Sequence, residues 1–262
     1  MEVIIQSDEK AAALLVARMV AKELRGNPHL VIGLATGRTM EDVYAGLVRM
    51  HEEDELDFSL CQTFNLDEYV GLAPDNPNSY RATMHRHLFS RVNLDLRNTH
   101  LPNGLAPDLE EECAQYEKSI QKCGGLDLQL LGIGQDGHIG FNEPLSALRS
   151  RTRVKALTPA TLAQNAAYFG GPAQVPRRAI TMGVGTILES RRCLLLATGK
   201  AKANIIAQAV EGPITAMISA TALQLHPRCT VIVDEPAAGR LQGSDYYRWI
   251  FANEPEWAEF HS

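Results

Sequence analysis

Short apolar runs alternate along this chain with stretches whose apolar residues fall three and four positions apart, and the two periods predict strands and helices in turn. Residues 1–5 read as a strand. Ser7 then offers an N-cap, and Ala11, Leu14, Leu15, Ala17, Met19 and Val20 mark a helix that stops near Gly26-Asn27-Pro28. Residues 29–34 and 61–66 predict two more strands, with a helix on Val43, Tyr44, Leu47 and Val48 between them. Helices are expected over 79–89 and 107–123. Leu128, Leu130, Leu131 and Ile133 mark a buried strand, and further strands fall near 179–184, 193–197 and 230–233. Residues 158–178 show no strong period and are rich in Ala, Gly and Pro; such a segment is a lid or an ordered surface loop. There is no internal repeat, low-complexity tract or linker. The alternation predicts an α/β fold: a single three-layer αβα domain over 1–262, with a mainly parallel, doubly wound, Rossmann-like sheet.

In such a sheet the C-terminal ends of the strands share one edge, where ligands bind. Four predicted strand ends carry polar clusters. After 29–34 comes Ala35-Thr36-Gly37-Arg38-Thr39, a turn into a helix whose unpaired N–H groups and hydroxyls suit an anion. It is neither a Walker loop nor a dinucleotide turn, and as a fragment it serves equally as a plain turn with a threonine cap. The strand 61–66 runs into Asp67-Glu68, of which one carboxylate could be a helix cap. The strand near 128–133 delivers Asp136, His138 and Glu143 within a Gly-rich stretch, and 193–197 leads into Gly199-Lys200-Ala201-Lys202.

Composition narrows the partners. Of 262 residues 45% are hydrophobic and 21% charged, with a net charge of −6, so there is no general attraction to nucleic acid or to an anionic membrane. No apolar stretch approaches the roughly 20 residues of a membrane span, and the N-terminus lacks a signal-peptide pattern. The 5 cysteines are odd in number and scattered, which predicts reduced thiols in a cytoplasmic protein. His85 and His87 lie two apart and face different sides of their helix, so the sequence offers no metal spacing. What remains is two anion-binding junctions, several carboxylates and a histidine. This inventory suits a small phosphorylated molecule undergoing proton transfers, because crowded carboxylates raise one another's pKa and His moves protons near neutral pH.

Five segments carry a resemblance: Phe64-Asn-Leu-Asp67-Glu68-Tyr69, Leu131 through His138 to Asn142-Glu143-Pro144, Ser150-Arg-Thr-Arg153, Gly183-Val-Gly-Thr186 and Gln224-Leu-His226-Pro227. Together, in this order, the chain resembles the glucosamine-6-phosphate deaminases. A sister family, the 6-phosphogluconolactonases, shares the Asp-Gly-His turn but not the Phe-Asn-Glu-Pro continuation. The resemblance implies conversion of an amino-sugar 6-phosphate to a ketose 6-phosphate with loss of ammonia, without metal or organic cofactor. It implies that His138 assists ring opening, with Asp136 and Glu143 holding it, and that Asp67 moves the proton between C2 and C1. Thr36, Gly37, Arg38, Thr39 and Lys202 would hold the phosphate. It further implies a homo-oligomer, a hexamer in the allosteric branch, with an N-acetylated sugar phosphate near Ser146, Arg153 and Lys155 and a contact from Tyr246 or Tyr247.

The chain also departs from the family pattern. Ala167 stands where the lid usually carries a phosphate-gripping Arg, and Arg38 and Met40 intrude in the usual Thr-Gly-small-Thr-Pro loop. Either Arg38 supplies the missing charge or it points to solvent. The departures keep open another hexosamine 6-phosphate as substrate, a lactonase of the same fold, and a sugar-phosphate-binding regulator without turnover.

Overall fold

Strands form where the short apolar runs are buried on both faces, as parallel sheets require: every residue of Cys193–Ala197 and of Cys229–Asp234 is buried. In the computed structural model, which describes residues 1–261, ten strands form two sheets. They are β1 (Glu2–Gln6), β2 (Val31–Leu34), β3 (Gln62–Asn65), β4 (Asp67–Tyr69), β5 (Thr99–His100), β6 (Leu128–Leu131), β7 (Arg153–Ala156), β8 (Arg178–Thr181), β9 (Cys193–Ala197) and β10 (Cys229–Asp234). Among the described residues seven strands make the large sheet in the order β1-β10-β9-β6-β2-β3-β5, with every pairing parallel. Helices flank it, so the expected α/β fold is present. The strands β9, β6, β2 and β3 are neighbours, and they carry the four polar clusters on one edge of the sheet.

The second sheet was not legible as such. Asp67-Glu68-Tyr69, expected to be the irregular end of a strand, is β4, and it pairs antiparallel with β8, which pairs antiparallel with β7. Leu66 is the corner between the sheets. Its N–H donates to Leu34 O at 2.9 Å, and its carbonyl accepts from Met182 N at 2.6 Å. A small apolar cluster of Tyr69, Phe141, Leu157, Val175 and Ala179 accompanies the small sheet, apart from the main core.

Two helix expectations need correction. Asp8, not Ser7, caps the helix Glu9–Gly26: its side chain accepts from Ala11 N at 2.9 Å, while Ser7 merely donates to Asp8. The stretch without a period contains a helix, Pro159–Phe169, started by Thr158 as N-cap and stopped by Gly170 in the left-handed region. Its period is faint because alanines occupy several positions and only Thr161 is buried. Among the described residues no helix is long and apolar enough to cross a membrane.

Candidate functional site

The stretch that leaves β6 turns back on itself through glycines. Gly134 N donates to His138 O at 2.8 Å, and the imidazole lies over Gly134 so closely that a Cβ there would sit 2.5 Å from a ring carbon. Any other residue at 134 would evict the ring. The turn also aims carboxylates at it: His138 Nδ1 lies 2.6 Å from Asp136 Oδ1 and 3.5 Å from Glu143 Oε2. Burial alone would discharge this imidazole, but the two carboxylates outweigh it and raise its pKa to about 9. Asp136 shows the reciprocal effect. Burial opposes its charge, yet His138 holds it down at about 2. His138 is therefore an imidazolium at neutral pH, with Nδ1 facing the two carboxylates as an ion pair and Nε2 left as the edge that can face a ligand.

The same three residues bring a possible ligand atom each within 4.8 Å of one another. Donors sharing a zinc ion with bonds of about 2.0–2.2 Å stand about 3.3 Å apart in a tetrahedron. The 2.6 Å contact between Nδ1 and Oδ1 is too short for that and is the distance of a close ion pair. The geometry is that of a braced histidine.

Asp67 and Glu68 divide on opposite sides of β4, as strand neighbours do. Glu68 accepts the backbone N–H groups of Tyr69, Tyr80 and Arg81 at 2.9–3.0 Å, so it holds the first N–H groups of the helix Tyr80–Met84 from across the fold, while Ser79 is that helix's N-cap. Asp67 stays for chemistry. It is buried, and desolvation together with the Glu68 charge pushes its pKa up to about 8, against a lowering influence from His138. Gly140 has φ +57, and a Cβ there would lie 3.6 Å from Asp67 Oδ2 and 2.9 Å from Thr181 Oγ1, so the absence of a side chain keeps space beside the carboxylate.

A cavity of about 640 Å³ joins these groups. Asp67 and His138 line it, as do Thr36, Gly37, Arg38, Thr39 and Lys202; Asp136 and Glu143 stand behind His138, outside the wall. Gly37 (φ +118) begins the 17-residue helix Arg38–Asp54 without any side-chain cap, and although Met40 N already donates to Gly37 O at 2.9 Å, the N–H groups of Arg38 and Thr39 point out of the helix start toward an anion. Lys202 Nζ donates to Ile133 O at 2.6 Å, and burial lowers its pKa, partly offset by Asp136. The structure thus brings the nine predicted catalytic and phosphate residues to one place.

Sequence reasoning missed Arg86, a further cation on the wall, and the aromatic lining of Tyr69, Tyr80, Tyr168 and Phe169. Arg86 lies on a single π-helical turn, His85–Phe89, which no side-chain period announces. The helix Pro159–Phe169 turns Gln164, Asn165 and Tyr168 to the cavity, whereas Ala167 is exposed and not on its wall.

The remaining candidates lie outside the cavity. Arg153 and Lys155 share one face of β7 as residues two apart. Arg153 Nη1 donates to Asn142 Oδ1 at 2.8 Å, and burial lowers the pKa of its guanidinium. Arg153 Nη2 and the hydroxyl of Ser146 are both buried without a partner. Tyr246 and Tyr247 sit on the helix Ser244–Asn253, which packs on the outer strand β1, and Tyr247 Oη donates to Glu211 at 2.9 Å.

Residues 6–231 match the family described as glucosamine-6-phosphate isomerases/6-phosphogluconolactonase. The chain belongs to this family. Within the isomerase/lactonase family it is 48% identical over 250 residues to a glucosamine-6-phosphate deaminase of Hahella chejuensis, covering 95% of both chains. A deaminase of an Arthrobacter species is also 48% identical, over 98% of this chain and 99% of that one. Among solved structures, one described as a monomeric glucosamine-6-phosphate deaminase superposes with TM-score 0.90 at 43% identity, covering 92% of this chain and 100% of that one. The 6-phosphogluconolactonase of Trypanosoma cruzi gives TM-score 0.75 at 20% identity, over 92% of this chain and 97% of that one, and shares the fold.

Proposed function

We infer that the protein is a glucosamine-6-phosphate deaminase, an aldose–ketose isomerase that forms fructose 6-phosphate and ammonia. One observation carries the reading: a buried, proton-holding Asp67 and a cationic His138 line the same cavity as an uncapped helix N-terminus and several cations. A lactonase has no use for a base placed to move a proton between carbons. The deaminase relatives, at 48% identity along nearly the whole chain, support the same choice.

The chemistry follows from the groups. His138 donates its Nε2 proton to the ring oxygen and takes the O1 hydroxyl proton in its place, so the sugar opens to the aldehyde. Asp67, as carboxylate, takes the proton from C2 while His138 returns a proton to O1, giving an enolamine. It returns that proton to C1, leaving an imine at C2. Water adds to the imine carbon and ammonia departs, so the carbon skeleton is isomerised with no net oxidation. Asp136 and Glu143 keep the imidazole charged and oriented. Thr36, Gly37 and Thr39 hold the phosphate with hydroxyls and free N–H groups, and Arg38 and Lys202 supply charge. Residues 1–262 act as one unit, in which the segment around 153–178 is the lid, rooted in β7 and β8. Incubation with a panel of hexosamine 6-phosphates, glucosamine and galactosamine included, tests the reading. Ammonia is expected from the glucosamine compound first, and release from none of them would end it.

Arg38 takes over from the arginine that Ala167 replaces. Arg38→Ala is expected to raise KM about 10–150-fold, the value of roughly 1.5–3 kcal/mol for a charge-assisted contact, with kcat little changed. An unaltered KM would place Arg38 in solvent.

Ser146, Arg153 and Lys155 form a second anion site in an oligomer, supported by the two orphaned polar atoms there. Adding N-acetylglucosamine 6-phosphate is expected to turn sigmoidal kinetics hyperbolic. Hyperbolic curves without it would remove the regulatory role.

A further inference from the structure

Glu143 serves two structures with one carboxylate. Its Oε1 accepts the Thr158 backbone N–H at 3.1 Å and its Oε2 accepts the Thr158 hydroxyl at 3.3 Å. The same Oε2 faces His138 Nδ1 at 3.5 Å. Thr158 is also the N-cap of the helix Pro159–Phe169, and its Oγ1 accepts from Thr161 N at 3.3 Å. We propose that Thr158 is a positioning residue that ties the acidity of His138 to the seating of this helix, an inference that rests on the deaminase reading.

The helix has a sensing end and a reporting end. At the far end Asn165 Nδ2 donates to Tyr69 Oη at 2.9 Å, Phe169 packs edge-on to the Tyr69 ring at 5.3 Å, and Tyr168 lines the cavity. A ligand that displaces these groups moves the helix as a rod. At the near end lie the donors to Glu143: the Thr158 N–H and hydroxyl, and the Thr161 hydroxyl, whose oxygen stands 3.1 Å from Thr158 Oγ1. The other charged groups around the imidazole are Asp136 on its own turn, Asp67 on β4, and Lys202 beside Asp136. None of them belongs to the helix, so Glu143 is its route to His138.

The sign follows from electrostatics. Each donor on Glu143 neutralises part of the charge that stabilises the imidazolium. When Thr158 lets go, Oε2 turns more negative toward Nδ1 and His138 holds its proton more tightly. When the helix is seated, the proton is released more readily to a ring oxygen.

Thr158→Ala and Thr158→Ser decide the matter, read by NMR titration of the His138 imidazole in the substrate-free protein and by kcat and KM against pH. In the alanine variant the titration and the alkaline limb of kcat are expected to move up by roughly half a pH unit, the effect of one lost donor. KM is expected to rise several-fold, and serine to restore both. A raised KM or lowered Tm with the His138 titration unchanged would reduce Thr158 to a helix cap and overturn the proposal. Absence of ammonia release by the wild type would refute the deaminase reading, while the NMR comparison would still decide the coupling.

Discussion

Asp67→Asn is expected to lower kcat about 10²–10⁴-fold and, at alkaline pH, to make the protein more stable than the wild type. Both effects have one origin. The carboxyl is buried at the start of β4, where desolvation and the Glu68 charge raise its pKa from 3.8 to about 8. The folded state therefore keeps the proton to about pH 8, while the unfolded chain releases it near 4. Between those values the folded form binds more protons, so stability falls as pH rises through that window and stays reduced above it. Asparagine cannot ionise and escapes the loss, which amounts to a few kcal/mol at about 1.4 kcal/mol per unit. Denaturant midpoints at pH 5 and pH 9 measure it: the advantage of the variant should widen with pH. In the wild type kcat should climb through about pH 8 as the base ionises, and fall again as His138 loses its proton at about 9. Lost activity without a pH-dependent gain in stability would mean that the proton resides elsewhere.

Glu117→Ala is expected to destabilise the protein by about 1–3 kcal/mol for each buried donor it leaves without an acceptor, while Arg151, half-exposed, keeps its pairing with Glu189. Glu117 lies on the helix Leu109–Lys122. Its Oε1 accepts from Thr152 N at 2.8 Å, Thr152 Oγ1 at 2.5 Å and Thr186 Oγ1 at 2.7 Å, and its Oε2 from Arg151 Nη2 at 2.7 Å. Burial opposes its ionisation, but the threonine hydroxyls, the Thr152 N–H and Arg151 outweigh it and lower its pKa. The contribution is thus present above the unfolded value of 4.5 and is lost as pH falls below it. Urea midpoints at pH 7 and pH 4 check this, because the gap to wild type should shrink in acid. An equal gap at both would show that the loss is one of packing volume.

The large sheet was readable because parallel strands buried on both faces write themselves as apolar runs, and helices between them as three-and-four spacing. Its shared edge followed from topology, which is why Thr36, Asp67, His138 and Lys202 could be grouped before any contact was known. The small sheet was hidden for a local reason. Asp67-Glu68-Tyr69 is three residues long, two of them acidic, and it becomes a strand only because β8 comes to lie beside it. Arg86 was hidden by its π-helical turn, and the Pro159–Phe169 helix by its alanines. Which groups claim Glu68 was also out of reach, since the N–H groups at Tyr80 and Arg81 lie on a helix 12 and 13 residues away.

Thr181 has Asp67 as its partner on one side and Arg153 on the other. The rungs that seat the base are therefore the same rungs that anchor both roots of the segment running from β7 to β8. Insertions, deletions and substitutions inside that segment leave the rungs alone, whereas a one-residue slip in either root strand would turn its side chains to the opposite face. For an engineer, or for drift over generations, this separates two dials. The segment between β7 and β8 can change in sequence and length, while Asp67 stays locked to the sheet beneath it.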